Sequence, residues 1–242
     1  MRDRGNPDNW EGILLLQKPV GLTSHDVVAR LRRCLGIRKI GHAGTLDPMA
    51  SGLLIILVGR ATKASAYFSS KDKVYEGIFR LGVTTETQDS DGQVLEAKEI
   101  PKFSTEELRA ALAVFGGDQY QLPPMYSAKK IHGKPLYKMA RKGLEIEREP
   151  RFIHVYIFDL VSYDPPELSF RLKCSKGTYV RTLAHDLGQH LGCGAHLSQL
   201  CRIQSGDFDL SAAWPLEELE QMPFRELNRC LIPLREALPL AP

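Results

Sequence analysis

Asp47 has the setting best suited to chemistry in this 242-residue chain. It lies in Gly41-His42-Ala43-Gly44-Thr45-Leu46-Asp47-Pro48, which runs on to Gly52, with the apolar run Leu53 to Val58 directly behind it. Three glycines and a proline let a loop bring its backbone close to a ligand, and a buried run behind would hold that loop still. Pro48 pushes the preceding residue toward extended geometry, so the carboxylate is aimed in a fixed direction. A carboxylate held this way is a modest nucleophile and a fixed negative charge. Asp-Pro turns that only join two elements share this composition, and spacing alone does not separate the two readings.

Arg181 falls in the first turn of a helix expected over 178–187, with Val180, Ala184, Leu187 and Leu191 inward and Gly192 as its stop. A cation there opposes the helix dipole at a cost of about a few tenths of a kcal/mol, which calls for an anionic partner. Tyr75 sits at the end of an apolar stripe on a strand expected over 74–83, where Gly77, Phe79, Leu81 and Val83 share its face. Core filler is the default reading of such a tyrosine, and its hydroxyl is what could do more. From 118 to 143 an extended, proline-bound stretch alternates lysines and arginines with Tyr126, His132 and Tyr137. Cations neutralise phosphate and rings stack on splayed bases, so this reads as an insertion that reaches a nucleic acid. Pro135 suits the first turn of a short helix ending at Gly143.

The elements that must position these groups follow from the pattern. An apolar strand at 12–17 runs into Lys18-Pro19-Val20-Gly21-Leu22-Thr23-Ser24. Thr23 or Ser24 caps a helix with Val27, Val28, Leu31, Cys34 and Leu35 inward and Gly36 as its stop. A short helix is expected over 61–68, and a hairpin turn at Asp89-Ser90-Asp91-Gly92 with a return strand at 93–96. Ser104 and Glu107 form a capping box before a helix over Leu108 and Leu112. Strands are expected at 151–163, 168–174 and 195–204, and a helical tail from Trp214.

The composition is that of an ordinary globule, and no apolar run has the length of a signal peptide or a membrane span. A cytoplasmic protein is expected. Five scattered cysteines, without a Cys-x-x-Cys pair, and dispersed histidines predict reduced thiols and no metal site. Neither a P-loop nor a Rossmann fingerprint is present, so no nucleotide cofactor, and no cofactor of any kind, is expected. The net charge of +3 conceals a pattern. Residues 24–42 set Arg30, Arg32, Arg33, Arg38 and Lys39 against Asp26 alone, and 126–151 carry eight lysines and arginines against three glutamates. Residues 205–242 are acidic, with three arginines against seven acids. Two basic patches and an acidic tail fit a polyanion bound on one face, although solvated helix faces give the same pattern.

Four segments, in order, resemble the TruB family of tRNA pseudouridine-55 synthases. They are Lys18 to Ser24; Gly41 to Gly52; Pro123-Pro124-Met125-Tyr126-Ser127-Ala128 through Gly143; and Gly177-Thr178-Tyr179-Val180-Arg181. The Gly-Thr-Leu-Asp-Pro stretch separates this family from other pseudouridine synthases. The resemblance implies an α+β pseudouridine synthase fold: a central mixed, mainly antiparallel sheet flanked by helices and loops, with a thumb-like insertion. It implies cleavage of N1–C1′ in an RNA uridine, rotation of the uracil and rejoining through C5, without metal or cofactor.

The same resemblance assigns roles. Asp47 matches the catalytic aspartate, Tyr75 the tyrosine that stacks on the target base, and Arg181 the arginine that pairs with the aspartate. His42 matches the histidine that enters the T loop and helps flip the base, a step costing a few kcal/mol. Lys18 and Pro19 match a support for the active-site loop, Leu200 a residue lining the uracil pocket, and the glycines read as clearance for a flipped nucleotide. Gly44, Thr45 and Tyr179, from the matching segments, join the RNA-contacting set, as do Lys129, Lys130 and Arg141 of the thumb. The implied partner is the T-arm of tRNA, bound by a monomer with no membrane association. The expected layout is a catalytic domain over 10–212 with its thumb at about 123–146, then an acidic helical tail over 213–242 and no PUA domain. A tRNA-binding module without chemistry is the alternative, and a hydrolase lacks a readable nucleophile elbow.

Overall fold

The computed structural model describes residues 10–126, 130–131, 134–135, 139, 144 and 146–238. The chain forms two compact units, one from Met1–Lys73 with Cys201–Pro242 and one from Val74–Leu200. In chain order the first unit begins with β1 (Gly12–Lys18), α1 (Ser24–Leu35), β2 (Ile40–Ala43), β3 (Ser51–Val58), a 3-10 helix (Gly59–Ala64) and α2 (Ser65–Ser69). Next come β4 (Lys73–Leu81), β5 (Val83–Thr85), β6 (Val94–Ala97), α3 (Thr105–Ala113), β7 (Gly117–Gln121), β8 (Lys130–Ile131) and β9 (Lys134–Pro135). After β10 (Arg151–Asp164), β11 (Glu167–Cys174) and α4 (Val180–His190), the strand β12 (Ala195–Ser205) leads back to the first unit. There follow β13 (Phe208–Asp209), a second 3-10 helix (Leu210–Ala212), β14 (Trp214–Pro215), α5 (Leu216–Gln221), α6 (Phe224–Arg229) and α7 (Leu234–Ala237).

In the first unit the strand order is β14-β1-β3-β12. β3 has antiparallel neighbours in β1 (Leu15↔Ile55) and β2 (His42↔Ile56), and a parallel one in β12 (Arg202↔Gly52). A strand covered on both faces needs an unbroken apolar run, and Leu53 to Val58 are wholly buried. Thr23 caps α1 in a capping box with Asp26, and left-handed Gly36 ends it. Val27, Val28, Leu31 and Leu35 pack on Leu14, Leu16, Leu54 and Ile56, while Cys34, expected inward, is only half-buried.

Residues 61–68 are not one helix. The Thr62 hydroxyl donates to the Gly59 carbonyl at 2.8 Å, which tightens the first turn to 3-10 geometry before α2 begins. Trp214, expected to open a helix, instead lies in β14, paired in parallel with Leu16. Leu216, Leu219 and Leu227 then join the core of α1 and β1, and Arg30 of the basic helix donates through Nε to Glu220 at 2.7 Å.

In the second unit the order is β12-β4-β11-β10-β7. Leu168, Phe170, Leu172 and Cys174 put one face of β11 in the core, where Phe170 stacks on Phe79 at 4.1 Å. Ser104 and Glu107 form the capping box of α3. The alternation from Tyr75 holds to Leu81, and Val83 then leaves the stripe to pair with Ala97 in a separate hairpin. Pro135 lies in β9 opposite Lys130, not in a helix. A two-stranded ladder leaves outward N–H positions unpaired, which is where a proline is tolerated.

Candidate active site

The loop that joins β2 to β3 carries Asp47, which is half-buried. Buried donors pin its backbone on several sides. Lys18, wholly buried at the end of β1, donates through Nζ to the carbonyls of Pro19 (2.8 Å), Leu22 (2.6 Å) and Pro48 (3.3 Å). The Gly21 N–H donates to the same Pro48 oxygen at 2.8 Å. Ser24 Oγ accepts from the Leu46 N–H at 2.9 Å and faces the Leu46 carbonyl at 3.2 Å. From β12, Arg202 donates to the carbonyls of Leu53 (Nε, 2.7 Å), Gly44 (Nη2, 3.1 Å) and Thr45 (Nη1, 3.5 Å). Bonds from charged donors are about twice as strong as neutral ones, so the residues around Asp47 are held on a rigid frame.

His42 is half-buried at the root of the loop, and its Nδ1 is buried without a hydrogen-bond partner among the described residues. Burial, with the positive charge of Arg202 second, holds its pKa below the ordinary value, so the neutral imidazole is favoured. Thr45 is exposed and Pro19 half-buried. Two of the loop glycines lie beside Arg202, and at one of them a side chain would clash with its backbone. A Cβ on Gly52 (φ +101°) would stand 2.4 Å from the Arg202 carbonyl oxygen, and one on Gly44 (φ +89°) 3.4 Å from Arg202 Nη1.

The second unit holds Tyr75, Tyr179, Arg181 and Leu200. Tyr75 on β4 and Leu200 on β12 are each 8% exposed, and Tyr179 is half-buried. The Gln121 side chain accepts from the Tyr179 N–H at 2.7 Å and donates to its carbonyl at 3.0 Å, fixing the residue that opens α4. Arg181, in the first turn of α4, donates to the carbonyls of Thr87 (3.1 Å) and Tyr126 (2.8 Å). Its guanidinium also lies 3.2 Å from Oδ2 of Asp89. Asp89 is 3% exposed and accepts from the Thr87 hydroxyl and the Asp91 N–H. Of the thumb cations, Lys129 and Arg141 lie outside the described residues, and Lys130 is described only as backbone in β8.

Sequence reasoning missed Arg202 and the burial of Asp89. A signal for Arg202 was present: it shares parity with Leu200 on a strand, so a cation sits on the inward face. Asp-Ser-Asp-Gly carries the composition of a solvated turn, and nothing local marks its first residue as buried. Among the described residues no three His, Cys, Asp or Glu side chains stand together as metal ligands would. No helix of the described residues is long and apolar enough to cross a membrane.

Comparison with known proteins places this arrangement. Residues 32–180 match the model of the TruB family pseudouridylate synthase N-terminal domain, and 181–239 that of the tRNA pseudouridylate synthase B C-terminal domain. The tRNA pseudouridine synthase B of Opitutus terrae is 57% identical over 95% of both chains. That of Geobacter sulfurreducens is 50% identical over 88% of this chain and 70% of its own. A solved Cbf5-Nop10-Gar1 complex contains a chain 26% identical, with a TM-score of 0.74, over 93% of this chain and 61% of that one. The chain belongs to the TruB family. Its mixed sheet flanked by helices is the α+β pseudouridine synthase fold, and as a member it is a pseudouridine synthase, an isomerase whose substrate is RNA.

Proposed function

We propose that this chain isomerises uridine 55 in the T loop of tRNA to pseudouridine, as a cytoplasmic monomer without metal or cofactor. Asp47 acts at C1′ of the flipped nucleotide, either by adding to it or by stabilising charge as the N1 bond breaks. The uracil turns and rejoins through C5, with Tyr75 against the base, Leu200 lining its pocket and Arg181 serving the same reaction. Neutral His42 enters the T loop as the base leaves its stack. Gly44, Thr45, Tyr179, Lys18 and Pro19 shape or support the site, and the thumb cations Lys129, Lys130 and Arg141 meet phosphate. The catalytic domain covers 10–212, and 213–242 form an acidic helical tail.

One observation carries the reading: a half-buried carboxylate stands on a loop whose flanking carbonyls are pinned by buried cations. Such rigidity has little use in a linking turn and suits a group that must meet one carbon in one orientation. Asp47→Asn is expected to lower conversion of a tRNA transcript by on the order of 10⁴-fold while the transcript still binds. Conversion at the wild-type rate would remove Asp47 from the chemistry. A wild-type protein that binds tRNA and never converts it would leave the binding module.

A further inference from the structure

We propose that Arg202 is a positioning residue for the reaction, fixing the backbone on which Asp47 is carried; this rests on the reading of Asp47 as the catalytic group. Arg202 is 1% exposed, and each of its three guanidinium nitrogens donates to a main-chain oxygen of residues 44–53. Nη2 and Nη1 hold Gly44 and Thr45, just before the aspartate, while Nε holds Leu53, just after the loop. The backbone of Arg202 is itself fixed, because β12 and β3 pair in parallel with Arg202 opposite Gly52. The Cβ-free faces of Gly44 and Gly52 lie against this residue, one on its guanidinium and one on its carbonyl. Both ends of the Asp47 loop are thereby referenced to one side chain on a neighbouring strand. Arg202 touches neither base nor sugar in this role: it acts through the loop. A stem ending in one ammonium cannot serve carbonyls from both ends of a loop in fork geometry, which is why arginine stands here.

The test uses the full chain, a tRNA transcript, single-turnover rates at saturating enzyme, and a binding isotherm. Arg202→Met keeps the stem and removes the donors. Displacing a reacting group by about 1 Å costs about 100-fold in rate, so that loss is expected with the Kd for tRNA changed by no more than about threefold. Arg202→Lys is expected to recover about tenfold of the loss by restoring part of the donor set. A folded Arg202→Met variant that lowers the melting temperature but reacts within about threefold of wild type would make Arg202 a core staple and overturn the proposal. Rate and affinity falling in parallel would overturn it too. If the Met variant does not fold, the Lys variant decides by the same split of rate from affinity. Asp47→Asn run alongside separates the two ideas: full activity there sinks the reading of Asp47, whereas an inactive Asp47→Asn with a fully active Arg202→Met sinks only this inference.

Discussion

Among the described residues two arginines are almost wholly buried, and the two units hold them differently. Arg202, 1% exposed, meets carbonyl oxygens of the Asp47 loop or of the strand that follows it in every hydrogen bond described for it. Arg181, 4% exposed, has two carbonyls and also the carboxylate of Asp89. Burying a guanidinium is costly, and these are two ways of offsetting that cost: dipoles gathered from one loop, or a neighbouring anion. Carbonyl dipoles are fixed in the chain, so the first way converts the need to solvate a charge into a demand on backbone geometry. In the second unit a carboxylate, that of Asp89, stands beside the guanidinium as well.

The comparison breaks most directly at Asp89. Asp89→Asn keeps the shape and removes the carboxylate charge that lies 3.2 Å from the buried Arg181 guanidinium. Breaking a buried pair from one side costs about 3–5 kcal/mol, so urea denaturation should show a loss of that order. A cost under about 1 kcal/mol would mean that Asp89 does little to offset the burial of Arg181, and the distinction drawn between the two arginines would collapse.

This difference also explains what the sequence made legible. The anion beside Arg181 and the caps at Thr23 and Ser104 were legible because local rules govern them, the helix dipole and the capping box, whereas Lys18 stood out only through the family resemblance. Strand periodicity likewise put Tyr75, Phe79 and Leu81 on one face, and burial agrees. Arg202 and the burial of Asp89 were missed because the groups that account for them, the loop carbonyls for one and Arg181 for the other, are far away in sequence. Trp214 was misjudged for the same reason, since what makes it a strand is Leu16 at the other end of the chain. Pro135 failed in another way: its fixed φ suits a helix start and an outer strand equally, and sequence offered only the first.

The units also differ in how their basic segments are used, and salt can separate them. On α1 and after it, Arg30 is engaged by Glu220, and Arg32 donates to the Ile40 carbonyl, while Arg33, Arg38 and Lys39 are exposed. The second unit offers the thumb cations. Replacing Lys129, Lys130 and Arg141 by Ala should weaken tRNA binding and lower the slope of log K against log salt by about 2 to 3. The corresponding change at Arg33, Arg38 and Lys39 should lower it by about 1 or less if the thumb carries the phosphate contacts. Equal slopes in the two triple variants would distribute the phosphate contacts over both units and remove the special standing of the thumb.

The smallest effect sharpens the first unit alone. His42 is held below its ordinary value of 6.5 chiefly by burial and then by Arg202, whose described bonds include no carboxylate. Above that value both folded and unfolded chains carry a neutral imidazole there, and the residue adds no pH dependence. As pH falls through it, the unfolded chain takes up the proton first, so folded stability declines until the folded pKa is passed and the loss levels off. His42→Asn should therefore flatten the fall in the urea midpoint between pH 7 and pH 5, and the imidazole signal in the wild type should titrate below 6.5. In Arg202→Met the same signal should move back only part of the way, because burial is the larger cause and remains. A complete return would mean that Arg202, and not the apolar setting of β2, keeps this histidine neutral. The loop clamp would then also set the charge of the residue that the proposed reaction sends into the T loop.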